Sequence, residues 1–273
     1  MSMKCCERPK PSDFGLSYDD ASVFYRTQWK KFPYILFIIY RVVLALYLLG
    51  ILIAYFVQQI QLLAGQAFVY LTNLGFIVFV IYMVVAAVVA VVDGVIRPRM
   101  QNGQSEDAPM GIRHKIHWMF FNITINLNIL VTFIYWGALY NPAFPFFYDF
   151  HVHTVTSIVS LLDLFLTPIP VRFLQFIYPI SFDVAYLALT VIFWAAGGRT
   201  ISSTGAIYPF IDYTNSPGLA AGVILGIFVA VIIMHGLIWA LYKLRVWIWL
   251  KCGNEAVTTE IDIQEQDKLE GDL

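Results

Sequence analysis

FPYILFIIYRVVLALYLLGILIAYFV, running from Phe32 to Val57, is an apolar stretch interrupted by a single charge, Arg41. It exceeds the roughly 20 predominantly apolar residues that a helix needs to cross the hydrocarbon core of a bilayer. It also lacks the polar face that a helix on the surface of a soluble protein carries. The pattern recurs five more times, over Phe68 to Val92, Trp118 to Leu139, His151 to Pro170, Phe176 to Gly197 and Leu219 to Leu241. The fourth stretch is the most polar, with two histidines, an aspartate and several hydroxyls. The whole chain agrees with this reading: 59% of its 273 residues are hydrophobic and 13% charged, with a mean hydropathy of +0.71, whereas soluble domains carry about a quarter charged residues. The fold class expected is all-α, a six-span transmembrane helical bundle.

Charge then orients the bundle. Six basic residues precede the first span, from Lys4 to Lys31. Arg97, Arg99, Arg113 and Lys115 lie between spans two and three, Arg172 follows span four, and Lys243, Arg245, Lys251 and Lys268 follow span six. Fifteen of the 17 Lys and Arg residues therefore fall on one side, leaving Arg199 opposite and Arg41 inside the membrane. Cytoplasmic loops hold the positive excess, so both termini are expected in the cytoplasm. The division expected is a cytoplasmic segment 1–31, a membrane domain 32–244, and an acidic, largely disordered tail 245–273. The first 31 residues lack an apolar signal core, so the first span is expected to direct insertion. The loop Asp93 to His117 reads as a flexible connector. Cys5, Cys6 and Cys252 all belong to the cytoplasmic ends, where thiols stay reduced. A net charge of −1 excludes a polybasic nucleic-acid binder. The partner expected is the lipid bilayer, together with a lipid substrate or other membrane proteins.

Ionisable residues at membrane depth are costly and mark a function or a buried partner. Arg41 has two candidate partners, Asp163 and Asp183; the alternative is snorkelling to the headgroups. In span four, His153, Thr156, Ser157, Ser160, Asp163 and Thr167 recur at offsets of three and four and so share one helical face. Such a stripe lines a wet cavity or hydrogen-bonds neighbouring helices. The imidazole favours a cavity, because it can exchange a proton near neutral pH. His153 is accordingly the candidate catalytic group, with Thr156, Ser157, Ser160 and Asp163 as the candidate polar cavity. His151 is placed in the outer headgroup region, and His235 is read as a satisfied packing residue. Asn122, Asn126, Asn128, Thr124 and Thr132 form a second patch, read as helix-to-helix bonding. Phosphate-binding, dinucleotide, zinc-protease and serine-hydrolase motifs are all missing. No ligand set has metal-binding spacing, so neither cofactor nor metal is expected.

A set of short phrases occurs in order between residues 13 and 245. It comprises Asp13-Phe14-Gly15-Leu16, Thr27-Gln28-Trp29, Tyr70-Leu71-Thr72-Asn73-Leu74-Gly75, Tyr135-Trp136 and His151-Val152-His153. It continues with Leu161-Leu162-Asp163-Leu164-Phe165, Pro170-Val171-Arg172 and Trp194-Ala195-Ala196-Gly197-Gly198, and ends with Ile207-Tyr208-Pro209-Phe210-Ile211-Asp212-Tyr213 and Asn215-Ser216-Pro217-Gly218-Leu219. Together these resemble the rolling stone family of multipass membrane proteins. The resemblance implies a role in cell–cell fusion during muscle formation, which favours the plasma membrane over the endoplasmic reticulum. A more distant resemblance links His153-Thr154-Val155 and Asp163 to the androgen-induced family of membrane hydrolases, which cleave fatty acid esters of hydroxy fatty acids. It implies an intramembrane esterase with His153 as base. The Thr nucleophile of those enzymes corresponds here to Pro33 or Tyr34, neither of which is an aliphatic hydroxyl. A channel or transporter is disfavoured, since neither an internal repeat nor a charged ring is visible.

Overall fold

The computed structural model describes residues 10–63, 66–100, 110–141, 146–200 and 205–252. Most of the described residues are helical, with no strand among them. Five helices are long and apolar enough to cross a membrane: α1 Tyr34–Leu63, α2 Leu71–Met100, α3 Ile112–Leu139, α5 Phe173–Ala195 and α6 Pro217–Lys251. Between α3 and α5 lies α4, residues 146–166, whose 5-, 5- and 11-residue segments run on without a break through a π turn at His151–Val155. In hydrocarbon every backbone polar group must be satisfied within its own segment, so even the Val- and Ile-rich α2 is helical throughout. Cys5, Cys6, the polar stretch 101–107 and the acidic tail from 253 onward lie outside the described residues.

Several boundaries differ from the sequence reading. Span four begins before His151 and stops at Leu166 instead of reaching Pro170. Thr167 turns extended (φ −104°, ψ 148°) ahead of Pro168, a conformation that a following proline favours over the helical one. The connector Asp93 to His117 is mostly helix at its ends: α2 continues to Met100, and α3 starts at Ile112. Asp93 ties those ends together, accepting two 2.6 Å bonds from Arg113 and lying 3.3 Å from Arg97 and 3.1 Å from His114. Finally, α6 runs to Lys251, so its final turns take in residues expected in the tail. Pro217 starts it, where the absent N–H costs nothing.

The helices pass alternately between two ends of one bundle. At one end Gln28 N–H donates to the Leu166 carbonyl at 2.8 Å and Trp118 Nε1 to the Pro170 carbonyl at 2.8 Å. At the other end Leu71 N–H donates to the Tyr208 hydroxyl at 3.1 Å and Tyr186 to the Val69 carbonyl at 2.9 Å. Central α3 packs on α2, α4, α5 and α6. Its burial, like that of α2, far exceeds that of α1, α5 and α6, whose outer faces are apolar.

One close approach needs a glycine. In the π turn Val92–Ile96 of α2, a Cβ on Gly94 would lie 1.6 Å from the Tyr34 hydroxyl oxygen. That hydroxyl sits 2.9 Å from the Tyr25 carbonyl and 3.1 Å from the Ala90 carbonyl, fastening α1 to both neighbours.

Candidate functional site

Arg41 and Asp163 meet at the centre of the bundle. Arg41 Nη1 is 2.6 Å from Asp163 Oδ2, and both side chains are fully buried. Asp163 also accepts from the Tyr40 hydroxyl at 2.6 Å and the Tyr82 hydroxyl at 2.5 Å, so its charge is held by three donors from α1 and α2. The guanidinium carbon lies 5.2 Å from the Phe37 ring centroid, while Nε and Nη2 lack hydrogen-bond partners. Of the two acids offered by the sequence, Asp163 is the partner, and Asp183 stands apart on α5.

The span-four stripe is hydrogen-bonded to its own helix and to α3. Thr156 donates to the Val152 carbonyl at 2.9 Å, and Ser160 to the Thr156 carbonyl at 2.8 Å. Asn128 of α3 donates to Ser160 at 2.9 Å, and the Thr132 hydroxyl sits 2.6 Å from that of Ser157 and against the His153 carbonyl. Thr156, Ser157, Ser160 and Asp163 therefore do not line either of the cavities described below. Residues of α3 fill the space, and the hydroxyls are spent on carbonyls one turn back. Of the second polar patch, Asn128 and Thr132 reach span four, while Asn122 and Asn126 bond Gln175 and His235.

His153 is 5% exposed and lies flat on Tyr135, with ring centroids 3.4 Å apart and planes 3° apart. Its Nδ1 has no hydrogen-bond partner, and no hydroxyl is bonded to its ring among the described residues. The histidine that does meet a hydroxyl is His151. Its Nε2 lies 2.6 Å from Tyr47 and its Nδ1 2.6 Å from the Phe147 carbonyl. A carbonyl only accepts, so Nδ1 carries the proton and Nε2 accepts from Tyr47. His151 is buried against Tyr47 and Phe147. His235 has both nitrogens satisfied, 3.1 Å from Asn126 Nδ2 and 3.0 Å from the Arg172 carbonyl.

Arg245 was invisible as a site from sequence, reading as one more tail cation. It is 1% exposed, and Nη1 donates to the carbonyls of Leu164 and Thr167 while Nη2 donates to that of Ile169 at 3.1 Å. These are the orphan acceptors left where α4 ends, and a cation suits that negative pole. The N-terminal phrases serve the same junction. Trp29 Nε1 donates to the Phe165 carbonyl at 2.9 Å, and Arg172 and Gln175 donate to that of Gly15.

A cavity of about 80 Å³ opens at the other end, between α2, α3, α5, α6 and the loop carrying Tyr208, Phe210 and Tyr213. Asp183 sits in its wall, 8% exposed, with Oδ2 unpartnered. Its Tyr and Thr hydroxyls are engaged elsewhere: Tyr186 with Val69, and Thr190 with Tyr213 at 2.8 Å. Burial pushes the Tyr208 phenol up to about 12, so it bonds Leu71 as a neutral group. Beyond the loop, Asp212 accepts from the backbone of Thr214 and Asn215 and from the Asn215 side chain, shaping the turn into α6. Only the combination of five segments creates the cavity, so no local sequence signal could have shown it.

Comparison with known proteins accords with this architecture. No solved structure matches the chain. Protein rolling stone of Drosophila melanogaster is 28% identical over 245 residues, covering 86% of this chain and 87% of its own. The family described as Protein rolling stone matches residues 4–252, a range that includes all six helices, the Arg41–Asp163 pair and the Arg245 cap. The chain therefore belongs to the rolling stone family.

Proposed function

We propose that this multi-pass membrane protein acts at the plasma membrane in cell–cell fusion, as in muscle formation, or in a closely related membrane process. The observation that carries this reading is the family match over nearly the whole chain, helices and connections alike. A bundle whose buried polar groups are mostly spent on holding helices together fits a component that engages other membrane proteins or lipids. The test is a content-mixing assay between two myoblast populations that carry complementary halves of a fluorescent protein. Depletion should reduce mixing, and re-expression of the natural chain should restore it. Undiminished mixing after complete depletion would sink the proposal.

A second reading, hydrolysis of fatty acid esters of hydroxy fatty acids, has one observation in its favour. The Tyr47–His151 pair places a hydroxyl at hydrogen-bond distance from an imidazole oriented by a third group, the arrangement that activates nucleophiles in general. His153 offers less support as the base, since its face is covered by Tyr135. Purified protein is expected to turn over little or no ester. Robust turnover, abolished by His151→Ala or His153→Ala in folded protein, would promote the esterase reading.

A further inference from the structure

Asp183 is a buried acid whose Oδ2 has no hydrogen-bond partner among the described residues. An unpartnered carboxyl in apolar surroundings is costly, and in a membrane helix it marks a binding site by default. Its neighbourhood says what is missing. On one side lies the 80 Å³ cavity, walled by aliphatic side chains and by the rings of Tyr186, Tyr208, Phe210, Tyr213 and Phe228. On the other is a cavity of about 10 Å³, shared with Asn126 of α3.

The hydrogen bonds fix which way Asn126 points. The Arg172 carbonyl accepts, so His235 carries its proton on Nε2 and its Nδ1 is bare. Asn126 Nδ2 must then be the group facing Nδ1 at 3.1 Å, and it also donates to the Asn122 carbonyl at 2.8 Å. The Asn126 oxygen is left without a partner. Two buried acceptors, one of them an acid, thus line the same small space with no donor supplied. A ligand there must bring donors, and aromatic walls favour one that brings positive charge.

We propose that the Asp183 cavity binds a hydrophobic primary amine, its ammonium on Asp183 and Asn126 and its apolar body against the tyrosine and phenylalanine rings. An ammonium has three donors and no acceptor, which matches two orphan oxygens. The cavity is smaller than the ~150 Å³ space that accepts benzene, so it takes only the first carbons of a slender alkyl chain, the rest of which leaves through the cavity's open side. Such an amine has two sources, a long-chain amino base of the membrane or a free short alkylamine. This inference is independent of the fusion role.

The test uses the full chain in phosphatidylcholine nanodiscs, with a photoreactive, alkyne-bearing long-chain amino base as the probe. Labelling should map to peptides of α5 or α6 and be displaced by unlabelled amine. The alcohol of equal chain length should compete at least about tenfold less well, the size of one lost charge-assisted hydrogen bond. Asp183→Asn should weaken binding by a similar factor, while the ligand-free variant unfolds at the wild-type temperature or above. Ile227→Trp, which fills the cavity from α6, should abolish specific labelling and decides the matter if Asp183→Asn fails to fold. Displacement by the long-chain base alone assigns a lipid source, and equal displacement by n-octylamine assigns a free amine; either supports the site. Labelling unchanged in these variants, or equal competition by the alcohol, overturns it.

Discussion

Replacing Arg41 by leucine should destabilise the protein by about 3 kcal/mol. Breaking a buried ion pair by removing one partner costs roughly 3–5 kcal/mol, because the remaining charge is stranded. Here the lower end applies. Asp163 loses the 2.6 Å bond from Arg41 but keeps those from Tyr40 and Tyr82, so it is stranded with two donors rather than none. A chain of this size shifts its unfolding temperature by roughly 2–4 °C per kcal/mol. Arg41→Leu should therefore lower the midpoint by about 6–12 °C, measured by fluorescence-detected size-exclusion chromatography on heated, detergent-purified samples. Adding Asp163→Asn should recover much of the loss, since a neutral amide still bonds a tyrosine and no charge remains buried. Two guanidinium nitrogens have no hydrogen-bond partner, so the pair is an imperfect one whose joint removal costs little. Adding Asp183→Asn in place of Asp163→Asn should change the midpoint no more than it does in the natural background, which is no recovery through pairing. An unchanged midpoint in Arg41→Leu, or recovery through Asp183 instead of Asp163, would refute the pairing argument.

Further outcomes follow from other parts of the fold. Gly94→Ala puts a methyl against the Tyr34 hydroxyl and should cost about 1–3 kcal/mol, the usual penalty of overpacking; adding Tyr34→Phe should relieve part of it in the same thermal assay. Arg245→Leu leaves buried carbonyls at the end of α4 unsatisfied, about 1–3 kcal/mol. Arg245→Lys should not restore them, because a point-like ammonium lacks the fork that reaches carbonyls of three residues; full rescue by lysine would contradict this. The Asn215 side chain, then its backbone N–H, holds the Asp212 carboxyl below its ordinary 3.8. The contribution of that turn is thus present above pH 3.8 and is lost as pH falls through the lower, folded value; an NMR titration giving a value at or above 3.8 would refute the assignment. Tags on Met1 and Leu273 should both be accessible to cytosolic antibody in selectively permeabilised cells, and protection of either would contradict the charge-based orientation.

The helices were legible because lipid leaves the backbone so few options: an apolar run long enough to span must satisfy its own N–H and C=O groups. The polar interior was legible only in part. Arg41 announced its need for an acid, but choosing Asp163 over Asp183 requires knowing that Tyr40 and Tyr82 converge on the same carboxylate from two other helices. His153 illustrates the converse. Its spacing puts it on one face with Thr156, Ser157 and Ser160, yet whether that face meets water or protein depends on Tyr135, Asn128 and Thr132 of α3. Arg245 was hidden because its acceptors are main-chain carbonyls, which leave no mark in the sequence. Periodicity reports which residues share a side of a helix and is silent on what stands opposite.

The cap on α4 also orders how the chain can be completed as it is made. When the fourth helix leaves the ribosome, Thr27, Gln28 and Trp29 are already present to engage the carbonyls of Phe165 and Leu166. The carbonyls of Leu164, Thr167 and Ile169 must wait, because their donor belongs to α6, which is synthesised after both α4 and α5. Until Arg245 arrives, α4 has a half-finished end. A chain interrupted before α6 would carry that defect permanently, and it would expose unsatisfied main chain to cellular surveillance in a way that the finished protein does not.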